Sequence, residues 1–169
     1  ELTGGATLTL SGTVNLSNDA TGRTLTIRGA SDTLISGTVA NGGAGAGGLA
    51  YSGLGTLTLT GTNTATGALT VNRNDIKLSS SGNWAGSVVL NPIGTLTLDN
   101  SGGSVNRLAD AGAFTGQGGT LSIIGAAGGT AEATGALTLN SVQTYINTSG
   151  GNVDLTFASV AFANSGSSL

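Results

Sequence analysis

The sequence predicts an all-β chain wound as a parallel β-solenoid, with coils of about 17–25 residues stacked into one rod. Three observations carry this. Two ladders of aliphatic residues run through the middle of the chain: Leu57, Ile76 and Leu96, then Leu69, Val88 and Leu108, each with steps of 19 and 20. The gaps between successive strand signals alternate there, 12 from Leu57 to Leu69, 7 to Ile76, 12 to Val88 and 8 to Leu96. A meander of hairpins has no reason to alternate in this way, whereas a coil with one long and one short corner does. The strand signals themselves are short and two-periodic, with Leu, Ile or Val on one face and Thr on the other.

In chain order the strand signals are Thr7-Leu8-Thr9-Leu10, Thr24-Leu25-Thr26-Ile27, Thr56-Leu57-Thr58-Leu59-Thr60 and Ala68-Leu69-Thr70-Val71. They continue through Ile76-Lys77-Leu78, Val88-Val89-Leu90, Thr95-Leu96-Thr97-Leu98, Thr120-Leu121-Ser122-Ile123, Ala136-Leu137-Thr138-Leu139 and Val153-Asp154-Leu155-Thr156-Phe157. Thr favours the pleated backbone on an outer face. Gly, Asn and Ser clusters between the signals turn the chain. No apolar pattern of helical period is sustained over ten residues, so no long helix is expected. A looser period governs the N-terminal part, with a step of 17 from Leu8 to Leu25 and of 18 from Leu16 to Leu34. Past Leu121 the steps are 16 to Leu137 and 18 to Leu155. Two stretches break the period. The Gly-rich 41–48 is read as a loop excursion, and a loop over 111–119 stretches the step from Leu96 to Leu121 to 25. At about 4.8 Å per coil, roughly eight coils give a rod of about 35–40 Å. Residues 1–169 form a single domain in this reading.

Composition fits a thin aliphatic core. Hydrophobic residues are 38% but aromatics only 4%, charged residues 8%, and there are 31 Gly and a single Pro. Disorder needs low hydrophobicity and high net charge, while mean hydropathy here is +0.23 and net charge −3. There is no basic patch for nucleic acid, no cysteine, and no apolar run of about 18 residues that would cross a membrane as a helix. A start at Glu1 and the absence of Met suggest a processed product or part of a longer chain.

The segment Gly55-Thr56-Leu57-Thr58-Leu59-Thr60-Gly61-Thr62-Asn63-Thr64-Ala65-Thr66-Gly67-Ala68-Leu69-Thr70-Val71-Asn72 closely resembles the autotransporter-associated β-strand repeat. Gly94-Thr95-Leu96-Thr97-Leu98-Asp99 resembles the start of another copy. Asn106-Arg107-Leu108-Ala109-Asp110, with Gly119-Thr120-Leu121-Ser122, Gly135-Ala136-Leu137-Thr138-Leu139 and Leu155-Thr156-Phe157, is similar to a longer module of large secreted bacterial proteins. The resemblance covers roughly 55–160. It implies a right-handed β-helix, export to the cell surface, and adhesive or scaffold roles. It brings no catalytic residues.

Candidate sites are few. Arg73, Asp75 and Lys77 alternate opposite Ile76 and Leu78, which makes an outward charge stripe. A basic group beside a carboxylate is what a β-helical polysaccharide lyase uses; a solvated stripe is the plainer reading. Of eight acids, Asp75 and Asp99 lie about one coil apart, and glycoside hydrolysis needs two flanking carboxylates. With no His and no Cys, the usual nucleophile–base pairs and soft metal sites are missing. Gly150-Gly151-Asn152-Val153-Asp154 is half of a calcium-binding nonapeptide, or simply a Gly-Gly turn entering the last strand. Trp84, Tyr51 and Tyr145 are candidate glycan or partner contacts, with core cover as the alternative. Phe157 and Phe162 are expected to close the core. Asn63, Asn72, Asn91, Asn100 and Asn106 recur at corners, where stacked amides can bond as a ladder.

The function expected is that of a non-enzymatic extracellular structural protein, a rod or fibre-forming subunit of a bacterial surface or matrix. It would use no cofactor and no metal, and would self-associate end to end or continue in a longer repeat protein. Neither Glu1-Leu2-Thr3-Gly4-Gly5 nor Ser165-Gly166-Ser167-Ser168-Leu169 has the look of a helical cap. The alternatives are an adhesin that binds surface glycans and a β-helical polysaccharide-degrading enzyme. A rival fold is an antiparallel pilin-type sandwich.

Overall fold

The computed structural model describes residues 5–140 and 143–163. The terminal segments weighed above as caps lie outside these residues, apart from Gly5. Fourteen strands and no helix occur among the described residues, and every strand pair is parallel. The fold is the expected parallel solenoid, and the antiparallel sandwich is ruled out.

Each coil has three faces. Face A stacks β1 (Thr7–Leu10), β4 (Asp32–Ile35), β7 (Thr56–Leu59), the second half of β8 (Leu69–Leu78), the second half of β9 (Val88–Asp99), β11 (Thr120–Gly125) and β13 (Tyr145–Gly150). Face B holds β2 (Val14–Asn15), β5 (Val39–Ala40), a Trp84–Leu108 bridge, and the first halves of β12 (Thr130–Leu139) and β14 (Val153–Phe162). Face C stacks β3 (Thr24–Ile27), β6 (Gly48–Tyr51), the first halves of β8 and β9, β10 (Phe114–Gly116), and the second halves of β12 and β14. Long strands such as β8 bend from one face to the next. Asn74 makes that bend at φ 52°, a left-handed conformation that Asn tolerates.

The columns correct several expected steps. The inward column of face A runs Leu8, Thr33, Leu57, Ile76, Leu96, Leu121, Ile146, with steps of 25, 24, 19, 20, 25 and 25. That of face C runs Leu25, Leu49, Leu69, Val88, Phe114, Leu137, Val160, with steps of 24, 20, 19, 26, 23 and 23. The first ladder is therefore a true column. The second is true only to Val88, because Leu108 pairs with Trp84 on face B. The shorter steps expected at both ends, from Leu8 to Leu25 and from Leu121 to Leu137, join different faces rather than successive coils. Seven levels replace the expected eight, which makes a stack of about 30 Å at the usual strand spacing. The long gap of each coil is not a plain corner, since it contains face B.

The core is one continuous strip of Leu, Ile and Val from Leu16 to Leu139, with Tyr51, Trp84 and Phe114 as its aromatic members. Phe114 packs edge-on to Phe157, with ring centroids 6.2 Å apart. Phe157 does help close the core, but Phe162 does not, being 56% exposed at the open end. The expected loop at 111–119 is likewise overturned: β10 lies inside it and buries Phe114. Most of the extra residues of that coil sit instead at the A–B corner, between Leu98 and Leu108. The Gly-rich 41–48 is no free excursion either. It lies on the 17–21 turn of the coil before, with the Gly45 amide donating to the Asp19 carbonyl at 3.0 Å. A Cβ on Gly43 would overlap that same oxygen. A column of glycines, Gly47, Gly67, Gly86, Gly112 and Gly135, forms the B–C corner. A Cβ on Gly86 would overlap the Gly67 carbonyl.

Candidate functional site

Face A presents the charge stripe to solvent. β8 and β9 pair so that Asp75 faces Thr95 and Lys77 faces Thr97, which leaves Asp99 two residues further along. The bonds run diagonally across the coils, not along the strand. Lys77 Nζ meets Asp99 Oδ2 at 2.6 Å, and the Thr97 hydroxyl donates to Asp75 Oδ1 at 2.8 Å. Ser101 donates its hydroxyl and its amide to Asp99 Oδ1 at 2.6 and 3.0 Å. Arg73, also on β8, is exposed at the C–A corner, level with Ile93. The three charges thus divide: Arg73 stands apart, and Asp75 and Lys77 bond to the next coil.

The two carboxylates have different environments. Burial pushes Asp75 above the usual range, against the Thr97 hydroxyl and Lys77. Burial acts the same way on Asp99, but Lys77 and Ser101 outweigh it and hold its pKa at about 2. One raised and one lowered carboxyl is the divergence an acid–base pair needs. Geometry opposes that use. Four positions of register separate the two, about 13 Å along the strand, and the Lys77–Thr97 row stands between them.

Beside Asp99 the A–B corner opens into a groove of about 540 Å³, lined by Ser79, Ser80, Ser101, Ser104, Asp99 and Arg107 among others. Beneath it lies a buried pair that sequence reasoning missed. Arg107 and Glu132 are each 1% exposed. The Arg107 guanidinium donates to the carbonyls of Gly82 (2.6 Å), Ser80 (3.3 Å) and Asp99 (2.5 Å). Glu132 accepts the backbone amides of Arg107 (2.9 Å) and Leu108 (2.7 Å). Its carboxylate thus takes the role a paired strand has elsewhere on face B. Burial pushes Glu132 up to about 7, against those two amides and the Arg107 charge. Burial lowers the Arg107 pKa, while Asp99 and Glu132 oppose that shift. The missed signal was the separation of 25 between two charged residues, one long coil, in a chain with few charges.

The aromatic candidates separate. Trp84 is 1% exposed and donates its indole N–H to the Gly67 carbonyl at 2.9 Å, so it covers the core and offers no face to a sugar. Tyr51 is equally buried, and its hydroxyl pKa is raised by that burial and by Asp32 and Asp75. Of the three, Tyr145 alone lies at the surface, at 48% exposure on the last coil. Gly150 and Gly151 form the turn between β13 and β14 as expected, with Gly150 at φ 78°. No group of three or more His, Cys, Asp or Glu that could hold a metal ion occurs among the described residues.

Asparagine ladders do form. Asn91 donates its amide to Asn72 Oδ1 at 2.8 Å, and Asn72 donates to the Ser52 hydroxyl at 3.0 Å. Asn63 and Asn83 exchange side-chain and backbone bonds between coils. Asn100 and Asn106 instead serve their own loop, accepting from the Val105 amide and donating to Asp110 respectively.

Among the described residues no helix is long and apolar enough to cross a membrane. Comparison with protein-family models, with curated proteins and with solved structures finds no match.

Proposed function

We propose that the chain is a non-enzymatic structural rod, exported and displayed at a cell surface or in an extracellular matrix. The observation that carries this is the use made of its polar groups. Asp75, Asp99, Lys77, Arg107 and Glu132 all bond from one coil to another. They bind the stack together instead of converging on a site. The regular coil, the low charge and the resemblance to surface-repeat proteins support the same reading. Immunolabelling of intact cells that make the chain tests it. Label on unpermeabilised cells is expected; label seen only after permeabilisation contradicts it.

The serine-lined groove supports a second reading, that of a glycan-binding surface. Its hydroxyls and the Asp99 carboxylate match the bonding of a polyhydroxylated ligand better than buried Trp84 or Tyr51 could. A glycan array probed with the chain and with Ser101→Trp tests it, and no hit for the native chain removes it.

A further inference from the structure

Among the described residues of the middle coils, two large hydrophobic side chains stand in solvent, Leu54 at 59% and Ile93 at 67% exposure. Both lie at the C–A corner. Ile93 pairs with Arg73, and Leu54 precedes Thr56 as Arg73 precedes Asp75, the partner of Thr56. Leu54, Arg73 and Ile93 therefore form one ridge across three successive coils. Glycines explain the ridge. Gly55 and Gly94 follow the two aliphatics, and a Cβ there would overlap Asp32 or the Val71 carbonyl. Each glycine draws the chain tight against the coil before it and leaves the preceding side chain outside. On the face A side of the ridge lies a groove of about 530 Å³, lined by Asp32, Leu54, Thr56, Asn74, Asp75 and Thr95 among others. Among the described residues the salt bridges are Arg23–Asp19 and Lys77–Asp99, so neither carboxylate of the groove has a cation in contact. Arg73 is exposed beside them and takes part in neither bridge. Scattered single hydrophobics on a surface are ordinary, whereas a contiguous patch marks a contact site.

We propose that this corner is a lateral contact between two copies of this chain, set side by side and antiparallel about a two-fold axis at the level of Arg73. Each ridge enters the groove of the other copy. Arg73 of one copy meets Asp75 of the other. Leu54 of one packs on Ile93 of the other, once on each side of the axis. A two-fold contact uses one patch twice, so the patch must be self-complementary. This one holds both members of the ion pair and both members of the apolar pair. Asp75, pushed up by burial in the single chain, gains a cation. Three side chains fall short of the roughly 800 Å² per partner of a standard interface, so the pairing is weak and sensitive to salt. It concerns the side of the rod, goes beyond the structural reading above and does not depend on where the rod is displayed.

Sedimentation equilibrium over a concentration series tests it on the native chain, Arg73→Asp, Asp75→Arg and Ile93→Ser, with circular dichroism to show that each is folded. The native chain is expected to pass from monomer to dimer with concentration. Each charge variant alone sets like charges against each other across the axis and should stay monomeric. Their equimolar mixture restores two opposite pairs and should dimerise. Ile93→Ser alters an exposed side chain and keeps the fold. It should move the native curve at least about tenfold towards higher concentration, because the symmetric contact loses two apolar pairs. If Asp75→Arg unfolds, Arg73→Asp and Ile93→Ser alone carry the test. A folded native chain that stays monomeric at its highest soluble concentration overturns the contact. So does association that Arg73→Asp or Ile93→Ser leaves unchanged, and so does a mixture of folded charge variants that stays monomeric.

Discussion

Between Thr56 and Leu98 the inward columns of the solenoid step by 19 or 20 per turn, whereas beyond Leu98 they step by 23 to 26. The shorter turns are held by stacked Leu, Ile and Val inside, strand pairing along the walls, and amide ladders at the corner. Along faces A and C the strands of such a turn pair in register with the coil one level away. The longer turns carry extra backbone at the A–B corner that the shorter turn beneath cannot match. There lie Arg107 and Glu132, the two charged residues that are buried among the described residues. Arg107 takes three carbonyls and Glu132 two amides. Lengthening a coil thus leaves unpaired backbone, and buried polar side chains are what meet it, since an unmet buried group costs about 1–3 kcal/mol.

Removing the Glu132 carboxylate attacks the long turns most directly. Glu132→Ala leaves the buried amides of Arg107 and Leu108 without their acceptor and should cost about 2–4 kcal/mol in urea unfolding, since each unmet buried group costs about 1–3 kcal/mol. Glu132→Gln keeps an acceptor oxygen and should cost less. Equal losses in the two variants would show that the amides are not what the carboxylate serves.

Acidity acts on the same residue with a definite sign. Glu132 has a folded pKa of about 7 against an ordinary 4.5. The folded chain therefore holds more protons between these values, and stability falls as pH rises from about 4.5 to 7. The full shift corresponds to at most about 3 kcal/mol. The raised Asp75 adds in the same direction, while the stability from Asp99 is lost only as pH falls from 3.8 towards 2. Unfolding midpoints should be higher at pH 5 than at pH 7.5, and Glu132→Gln should remove most of that difference. A native chain that is more stable at pH 7.5 contradicts the assignment.

The short turns are tested at the glycine column. Gly86→Ala drives a methyl into the Gly67 carbonyl and should cost about 1–3 kcal/mol. Gly102→Ala, in open space on the long corner, should stay within about 0.5 kcal/mol. Lys77→Ala removes the partly exposed bridge to Asp99 and should cost about 1 kcal/mol, less in high salt.

The sequence shows the short turns well and the long ones poorly, for a physical reason. Where coils are minimal, inward positions recur at constant spacing, and Leu57, Ile76 and Leu96 reveal the column unaided. Where a corner lengthens, spacing alone misleads. Leu108 falls at the right interval after Val88, yet it belongs to another face, and Phe114 takes the place. Face B showed only at its last level, from Val153 to Phe157, because its other levels contain no Leu-Thr-Leu run. Its column passes through Asn63, Trp84 and Glu132, held by side-chain bonds as much as by strand pairing. The stripe at Arg73, Asp75 and Lys77 was legible as outward-facing, but its partners were not, because a diagonal between coils depends on register.

Trypsin digestion of the folded chain, read by mass spectrometry, tests the central claim of a tightly bonded rod most directly. Its five basic residues are Arg23 and Arg28 on the first coil, Arg73 and Lys77 within β8, and buried Arg107. The chain should survive with Arg73, Lys77 and Arg107 uncut, and any early cleavage should fall after Arg23 or Arg28. Rapid cleavage after Arg73 or Lys77 would show that the middle coils open, and would contradict the rod.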